Sequence, residues 1–206
     1  MHKTLVIFSF LLINQLGFCQ KLVEKALTNT YTKHLQIDAS KCFELSLDTR
    51  QSNVLKVEAS MEGEDVKDLV INMEENGKNI LVSTELLPNF KDPRYKFSAL
   101  KVTSIALKVT LPEYMTASIY GTNTSVIAKG KYDDLFISLS DGNCSLIAVS
   151  KKVSVRTQKG KIALHNIKGK IKAISEYGKV YRNNVPKGHQ QFDIQSIEGD
   201  IFINYP

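Results

Sequence analysis

The residues of this chain best suited to metal binding or nucleophilic chemistry are His2, His34, His165 and His189, with Cys19, Cys42 and Cys144. Their spacing supports neither use. There is no HExxH, no CxxC and no Cys/His cluster, so no zinc centre is expected. A GxSxG elbow, a phosphate-cradling GxxxxGK[ST] loop and a GxGxxG turn are also missing. His165 follows Leu164 on the outward phase of a strand and reads as a solvated surface histidine. Acid–base chemistry on a glycan would need two carboxylates, and the candidates are Asp133, Asp134, Asp141, Glu176, Glu198 and Asp200. Asp133 and Asp134 fall in a connection, and Asp141 and Glu198 in turns, where acidic residues serve local backbone needs. Only Glu198 and Asp200 are near enough in sequence to suggest a pair, and only with Arg182 beside them would they resemble a site. The reading is therefore no catalytic residue, no cofactor and no metal.

What remains is chemistry of binding. The chain has 27 Lys+Arg against 21 Asp+Glu, a net charge of +6, yet residues 38–85 hold 11 acidic and 5 basic side chains while residues 129–190 hold 13 basic and 4 acidic. Lys159, Lys161, Lys170, Lys172 and Lys179 form a candidate surface for an anionic ligand. The competing account is that lysines on strands discourage edge pairing and keep a β-rich surface soluble. Tyr181 and Phe202 form a candidate aromatic row, able to stack on sugar rings or to cover the end of the strand array. A hydrophobic content of 43% excludes a disordered polyelectrolyte.

The elements that must position these residues begin after an export signal. Met1-His2-Lys3 precede a short apolar run, Leu5 to Ile13, well under the ~20 residues of a bilayer span, so residues 1–19 read as a signal peptide cleaved after Cys19. Lipid anchoring at Cys19 is disfavoured by the bulky Phe18 before it. The expected location is the periplasm, the outer surface or the medium, without a membrane span. Partners there would be an anionic glycan, lipid head groups or another envelope protein, not nucleic acid. Cys42 and Cys144 could close a loop of about 100 residues worth about 4 to 5 kcal/mol. Both stand on apolar strand phases, which favours two buried thiols.

From residue 33 onward apolar residues alternate with period two, as in Leu35/Ile37, Phe43/Leu45/Leu47 and Leu55/Val57/Ala59, with turn residues between the runs. Asn76-Gly77 predicts a type I′ hairpin. A weak helical segment is expected only at Val23 to Thr28, and a proline-bearing loop between Glu85 and Tyr95. Residues 20–114 thus form an N-terminal strand-rich section.

Beyond Met115 the chain divides into five segments starting at Met115, Leu135, Val153, Ile171 and Phe192, with turn positions at Thr122, Gly142, Gly160, Gly178 and Gly199. The words Asn123-Thr124-Ser125-Val126-Ile127-Ala128 and Asn143-Cys144-Ser145-Leu146-Ile147-Ala148 align the first two at an offset of 20. Repeats this short cannot bury their apolar faces alone and must stack. The expected fold is all-β, with a short single-stranded β-helix (β-solenoid) over 115–206 continuous with the N-terminal section, as one domain over 33–206. A β-sandwich is the alternative. The glycines are expected to supply left-handed or bulged corners.

The elements Ser175-Glu176-Tyr177-Gly178-Lys179-Val180 and Ser196-Ile197-Glu198-Gly199-Asp200-Ile201 are similar to the recurrent strand, Ser-x-x-Gly, strand motif of the bacterial putative-adhesin, β-strand-repeat families related to autotransporter adhesin heads. The likeness spans about residues 33 to 206. It implies an exported β-helical protein acting as a non-catalytic cell-envelope or surface module, for binding or structure. A carbohydrate-active β-helix enzyme, a polysaccharide lyase or hydrolase, is the alternative.

Overall fold

Alternation with period two puts every second side chain on one face, and in this chain those positions are occupied by Leu, Ile and Val almost without interruption. The computed structural model describes residues 20–28, 34–62, 69–86 and 104–204. They form fifteen strands and no helix. The first seven are β1 (Gln20–Thr28), β2 (His34–Asp38), β3 (Glu44–Arg50), β4 (Val54–Glu62), β5 (Leu69–Asn76), β6 (Asn79–Leu86) and β7 (Ser104–Pro112). They are followed by β8 (Thr116–Gly121), β9 (Ser125–Leu139), β10 (Cys144–Thr157), β11 (Ile162–His165), β12 (Lys170–Ser175), β13 (Val180–Arg182), β14 (Gln191–Ser196) and β15 (Ile201–Ile203). The expected signal peptide, residues 1–19 including Cys19 and Phe18, and most of the proline-bearing loop lie outside the described residues. The segment expected to be weakly helical, Val23 to Thr28, is instead strand, because β1 pairs antiparallel with β4 along its whole length. Tertiary pairing overrides a marginal local preference.

One mixed sheet holds all the strands, along two paths that share β9 and β10. One path runs β1-β4-β7-β3-β9-β10-β11-β15-β13, and the other runs β5-β6-β2-β8-β9-β10-β14-β12. Sharing is possible because β9 and β10 are long: residues 125–129 of β9 pair with β3, and residues 135–139 pair with β8. Gly130, at φ 112, lies between the two stretches. The apolar faces of both paths meet in one core that includes Leu35, Leu45, Leu107, Ile137, Leu146 and Ile194. Tyr132 is the largest side chain within it; its phenol donates a 3.0 Å hydrogen bond to the Lys129 carbonyl, and burial pushes its pKa far up. The hairpin β5–β6 closes at Gly77-Lys78 rather than at Asn76-Gly77. Of that turn only Gly77 has positive φ, which is the type II′ pattern and not type I′.

Two expectations about the 115–206 segment are corrected. First, β8 and β9 pair as Ala117↔Leu135, and β9 and β10 as Val126↔Cys144, an offset of 18 and not 20. The near-identical words at 20 kept the right faces, because both offsets are even, but they put Thr122 where Thr124 belongs. Second, chain order is not spatial order. The unit β14–β15 sits between β10–β11 and β12–β13: β14 pairs with both β10 and β12, and β15 with both β11 and β13. Apolar volume explains the exchange. Phe192, Ile194, Ile201 and Ile203 are all buried, whereas the inward positions of the other unit are Ile171, Ala173, Ser175, Val180 and Arg182, which suit an end better than a middle. Arg182, the one break in the apolar phase, donates to the Ile171 carbonyl at 3.2 Å in that end unit.

The corners align in a column of Thr124, Gly142, Gly160, Gly199 and Gly178. None of these glycines has positive φ, so left-handed geometry is not what they supply. They supply clearance: a Cβ on Gly142 would lie 1.9 Å from the Thr124 carbonyl oxygen, and one on Gly160 would lie 1.7 Å from that of Gly142. Hydroxyls close the same corners. Gly199 N–H donates to Ser196 Oγ at 2.9 Å and Gly178 N–H to Ser175 Oγ at 3.0 Å, which is what the Ser-x-x-Gly pattern does. Thr124, fully buried, donates its hydroxyl to the carbonyls of Ala39 and Cys42, at 2.6 and 2.8 Å. Gly160→Ala is expected to cost about 3 kcal/mol or more, measured by urea unfolding, because neighbouring backbones must separate. Ser196→Ala should cost only about 1 kcal/mol. Equal, small effects would contradict the column.

Candidate binding surfaces

The lysines divide into two groups by their partners. Along the middle of the array they pair with carboxylates: Lys129 with Asp48 at 3.3 Å, Lys131 with Glu113 at 3.0 Å, Lys152 with Asp134 at 2.6 Å, Lys151 with Asp133, and Lys159 with Glu198 at 3.9 Å. Hydrogen bonds donated to Glu113 and Asp134 hold the Lys131 and Lys152 ammonium groups above their usual pKa. Such exposed pairs contribute little to stability, but they neutralise the surface locally. Lys161, Lys168, Lys170, Lys172, Lys179 and Lys187 form no ion pair with a described residue.

Of the lysines singled out in sequence, Lys159 and Lys161 flank the Gly160 corner, Lys170 and Lys172 are exposed on β12, and Lys179 follows the Gly178 corner. Because β14–β15 is inserted, acidic residues interleave with them. Asp200 lies level with both Lys161 and Lys179, accepting a 2.8 Å hydrogen bond from the Lys179 backbone N–H, and Asp193 pairs in register with Lys172. The exchange also brings the aromatic candidates together. Tyr181 and Phe202 are register partners, half-buried, with ring centroids 4.9 Å apart and planes within 9° of parallel.

A second aromatic group, not found in sequence, lies on the outward face of the other path. Register aligns Ser118, Phe136 and Ser154 in one row, and Tyr120, Ser138, Arg156, Gln195 and Ile174 in the next. The Tyr120 and Phe136 rings are 5.9 Å apart and tilted by 55°, and the Arg156 guanidinium stands 5.9 Å over the Phe136 ring. Tyr120 and Arg156, with Ser138, Gln195 and Ile174, border a groove of about 740 Å³ whose walls add Ser140, Gln158 and Glu176; Phe136 touches Tyr120 and Arg156 but does not line it. Tyr120 is 43% exposed, and Ile174 and Ile197 at the far wall are 52% and 43% exposed. The signal was the 18-residue offset itself, which places positions 120, 138 and 156 side by side.

The candidate acid–base residues have other partners. Glu198 turns to Lys159, Asp200 to the Lys179 backbone, and Arg182 to the Ile171 carbonyl. Among the described residues no group of three or more His, Cys, Asp or Glu is placed to hold a metal ion. Cys42 and Cys144 are both buried and unbridged. Burial pushes the Cys144 thiol up to about 12; it also raises that of Cys42, against a partly offsetting hydrogen bond with Thr84.

No family profile and no curated protein matches the chain. Among solved structures, a putative cell adhesion protein from Clostridium sporogenes superposes with a TM-score of 0.62 at 16% identity, over 89% of this chain and 98% of that one. The two share an all-β fold over nearly their whole lengths. A putative adhesin from Bacteroides fragilis, with a TM-score of 0.38 and 10% identity, covers 89% of this chain and 97% of its own. A putative lipid binding protein from Parabacteroides distasonis, at 0.28 and 11%, covers 90% and 95%. No helix among the described residues is long and apolar enough to cross a membrane.

The buried thiols generate a direct expectation. Alkylation of the native protein at neutral pH, read by peptide mass, should leave Cys42 and Cys144 unmodified without prior reduction, and denaturant should expose both to one-step labelling. Recovery of a Cys42–Cys144 disulfide would contradict the structure.

Proposed function

We propose that this chain is an exported, non-catalytic surface binding module that holds a glycan in the groove bordered by Tyr120, Arg156 and Ile174. The observation that carries the reading is that groove. It offers the Tyr120 ring and aliphatic walls together with a guanidinium, hydroxyls and amides, the mixture that binds a polyhydroxylated ring by its apolar face and its edge. Arg156 gives it a preference for acidic sugars. Lys161, Lys170, Lys172 and Lys179, without ion pairs to described residues, extend with the nearby Lys159 an attraction for anionic glycans or head groups around the same end of the molecule. The adhesion name carried by the Clostridium sporogenes protein accords with this role.

The architecture proposed with it is a short β-solenoid, in which each unit is one coil. Parallel pairing at an offset of 18 from β8 through β11, interrupted only by a bulge at Ser150, supports coils over the hairpin meander of a sandwich. The domain then runs from residue 33 to the end without a break at 114, since β2 and β3 pair with β8 and β9 across that position. The signal peptide over 1–19 belongs to the same proposal.

A glycan array probed with the purified protein at low and high salt tests the function. Binding to acidic glycans, weakened at least tenfold by Arg156→Ala or Tyr120→Ala with the glycan chain length unchanged after incubation, is the expected result. Retention of binding in both variants would remove the groove from the account, and shortening of the glycan would establish an enzyme.

A further inference from the structure

The two ends of the path from β5 to β12 differ in charge, and among the described residues no strand pairs beyond either. At one end β12 and β13 terminate the two paths, so the outer backbone edge of each has no described partner strand. Val180, whose side chain takes an inward position, is 39% exposed there, and Ile171 and Ala173 are only half-buried. Around that edge stand Lys170, Lys172 and Lys179, without ion pairs to described residues, and Arg182. At the opposite end β5 and β1 terminate the same two paths. β5 carries Glu74 and Glu75, both exposed, whereas β1 carries Lys21 and Lys25 with Glu24, which Lys56 engages.

Free edges are templates for further strands, and their side chains decide which strands are accepted. Here like ends repel: two basic ends facing each other would oppose lysine to lysine, which excludes a two-fold dimer through β12–β13. Unlike ends attract. From these facts we infer that the basic edge of β12 in one copy docks on the acidic edge of β5 in a second copy, so that molecules add head to tail.

Strand direction permits this. β12 runs parallel with β6 through the intervening strands, and β5 is antiparallel to β6, so a copy translated along the array presents β5 antiparallel to β12. Such an antiparallel ladder is ordinary. Because the contact joins different surfaces, it does not close, and assemblies grow with concentration. The inference uses the backbone edge of β12, whereas the groove uses the outward face on which Ile174 stands.

Sedimentation velocity of the purified whole chain over a concentration series tests it. At low salt the mass should rise past a dimer without a plateau. At about 1 M salt, where the screening length falls to about 3 Å, it should return towards monomer. K170E/K172E and E74K/E75K, each verified as folded by circular dichroism, should each stay monomeric alone at low salt. Their equimolar mixture should associate at least tenfold more tightly than either alone. A monomer under all conditions, a dimer that stops growing, or wild-type association in both charge-reversed variants would overturn it.

Discussion

The constraint on which the molecule depends is the closeness with which its backbone crosses itself at one corner of every unit. At Gly142, Gly160, Gly199 and Gly178 a carbonyl from the neighbouring unit occupies the place of a Cβ. That contact sets the spacing at which both paths can keep 4.7 to 4.9 Å hydrogen-bonding separations. The strands on either side then bury their alternate residues in one core, and the hydroxyls of Ser196, Ser175 and Thr124 close corner donors and acceptors that would otherwise be stranded. Fold and surface both follow from the column, since fixed register is what turns residues 18 apart into neighbours.

The exchange of the last two units is the second organising fact. The unit richest in large apolar side chains takes the position covered on both sides, and the unit with Ala173, Ser175 and Arg182 takes the end. This minimises apolar exposure where the array must stop, a role that solenoid proteins give to atypical terminal repeats. It also redistributes charge. Asp193, Glu198 and Asp200 come to lie among the lysines of the neighbouring units, while the positive charge that stays unpaired collects at the end. A charge asymmetry that looked like two halves of a chain is therefore a polarity along an axis.

Strand content, the inward residues and the corner glycines were legible in the sequence, because period two and Ser-x-x-Gly are local signals. The order of the units was not, since β12–β13 and β14–β15 carry the same motif and the same phases, and nothing local states which neighbour each will have. Arg182 and the small Ala173 and Ser175 were the available sign, in the form of an inward face too poor to be covered twice. The match of Asn123-Thr124-Ser125 with Asn143-Cys144-Ser145 misled the offset by two residues without changing any face. That slip hid the groove, because at an offset of 20 Tyr120 and Ser138 do not align. The turn at Gly77-Lys78 differs from the expected one by a single position, which the pairing of Asn76 with Asn79 decides.

Residue-resolved backbone hydrogen exchange tests the order of the units most directly, since protection follows burial and pairing on both sides. The account predicts that amides of β14 and β15, residues 191–203, exchange as slowly as those of β10 and β11. Those of β12 and β13, residues 170–182, should exchange markedly faster although they come earlier in the chain. Slow exchange over 170–182 with fast exchange over 191–203 would mean that the units stack in chain order, and would contradict it.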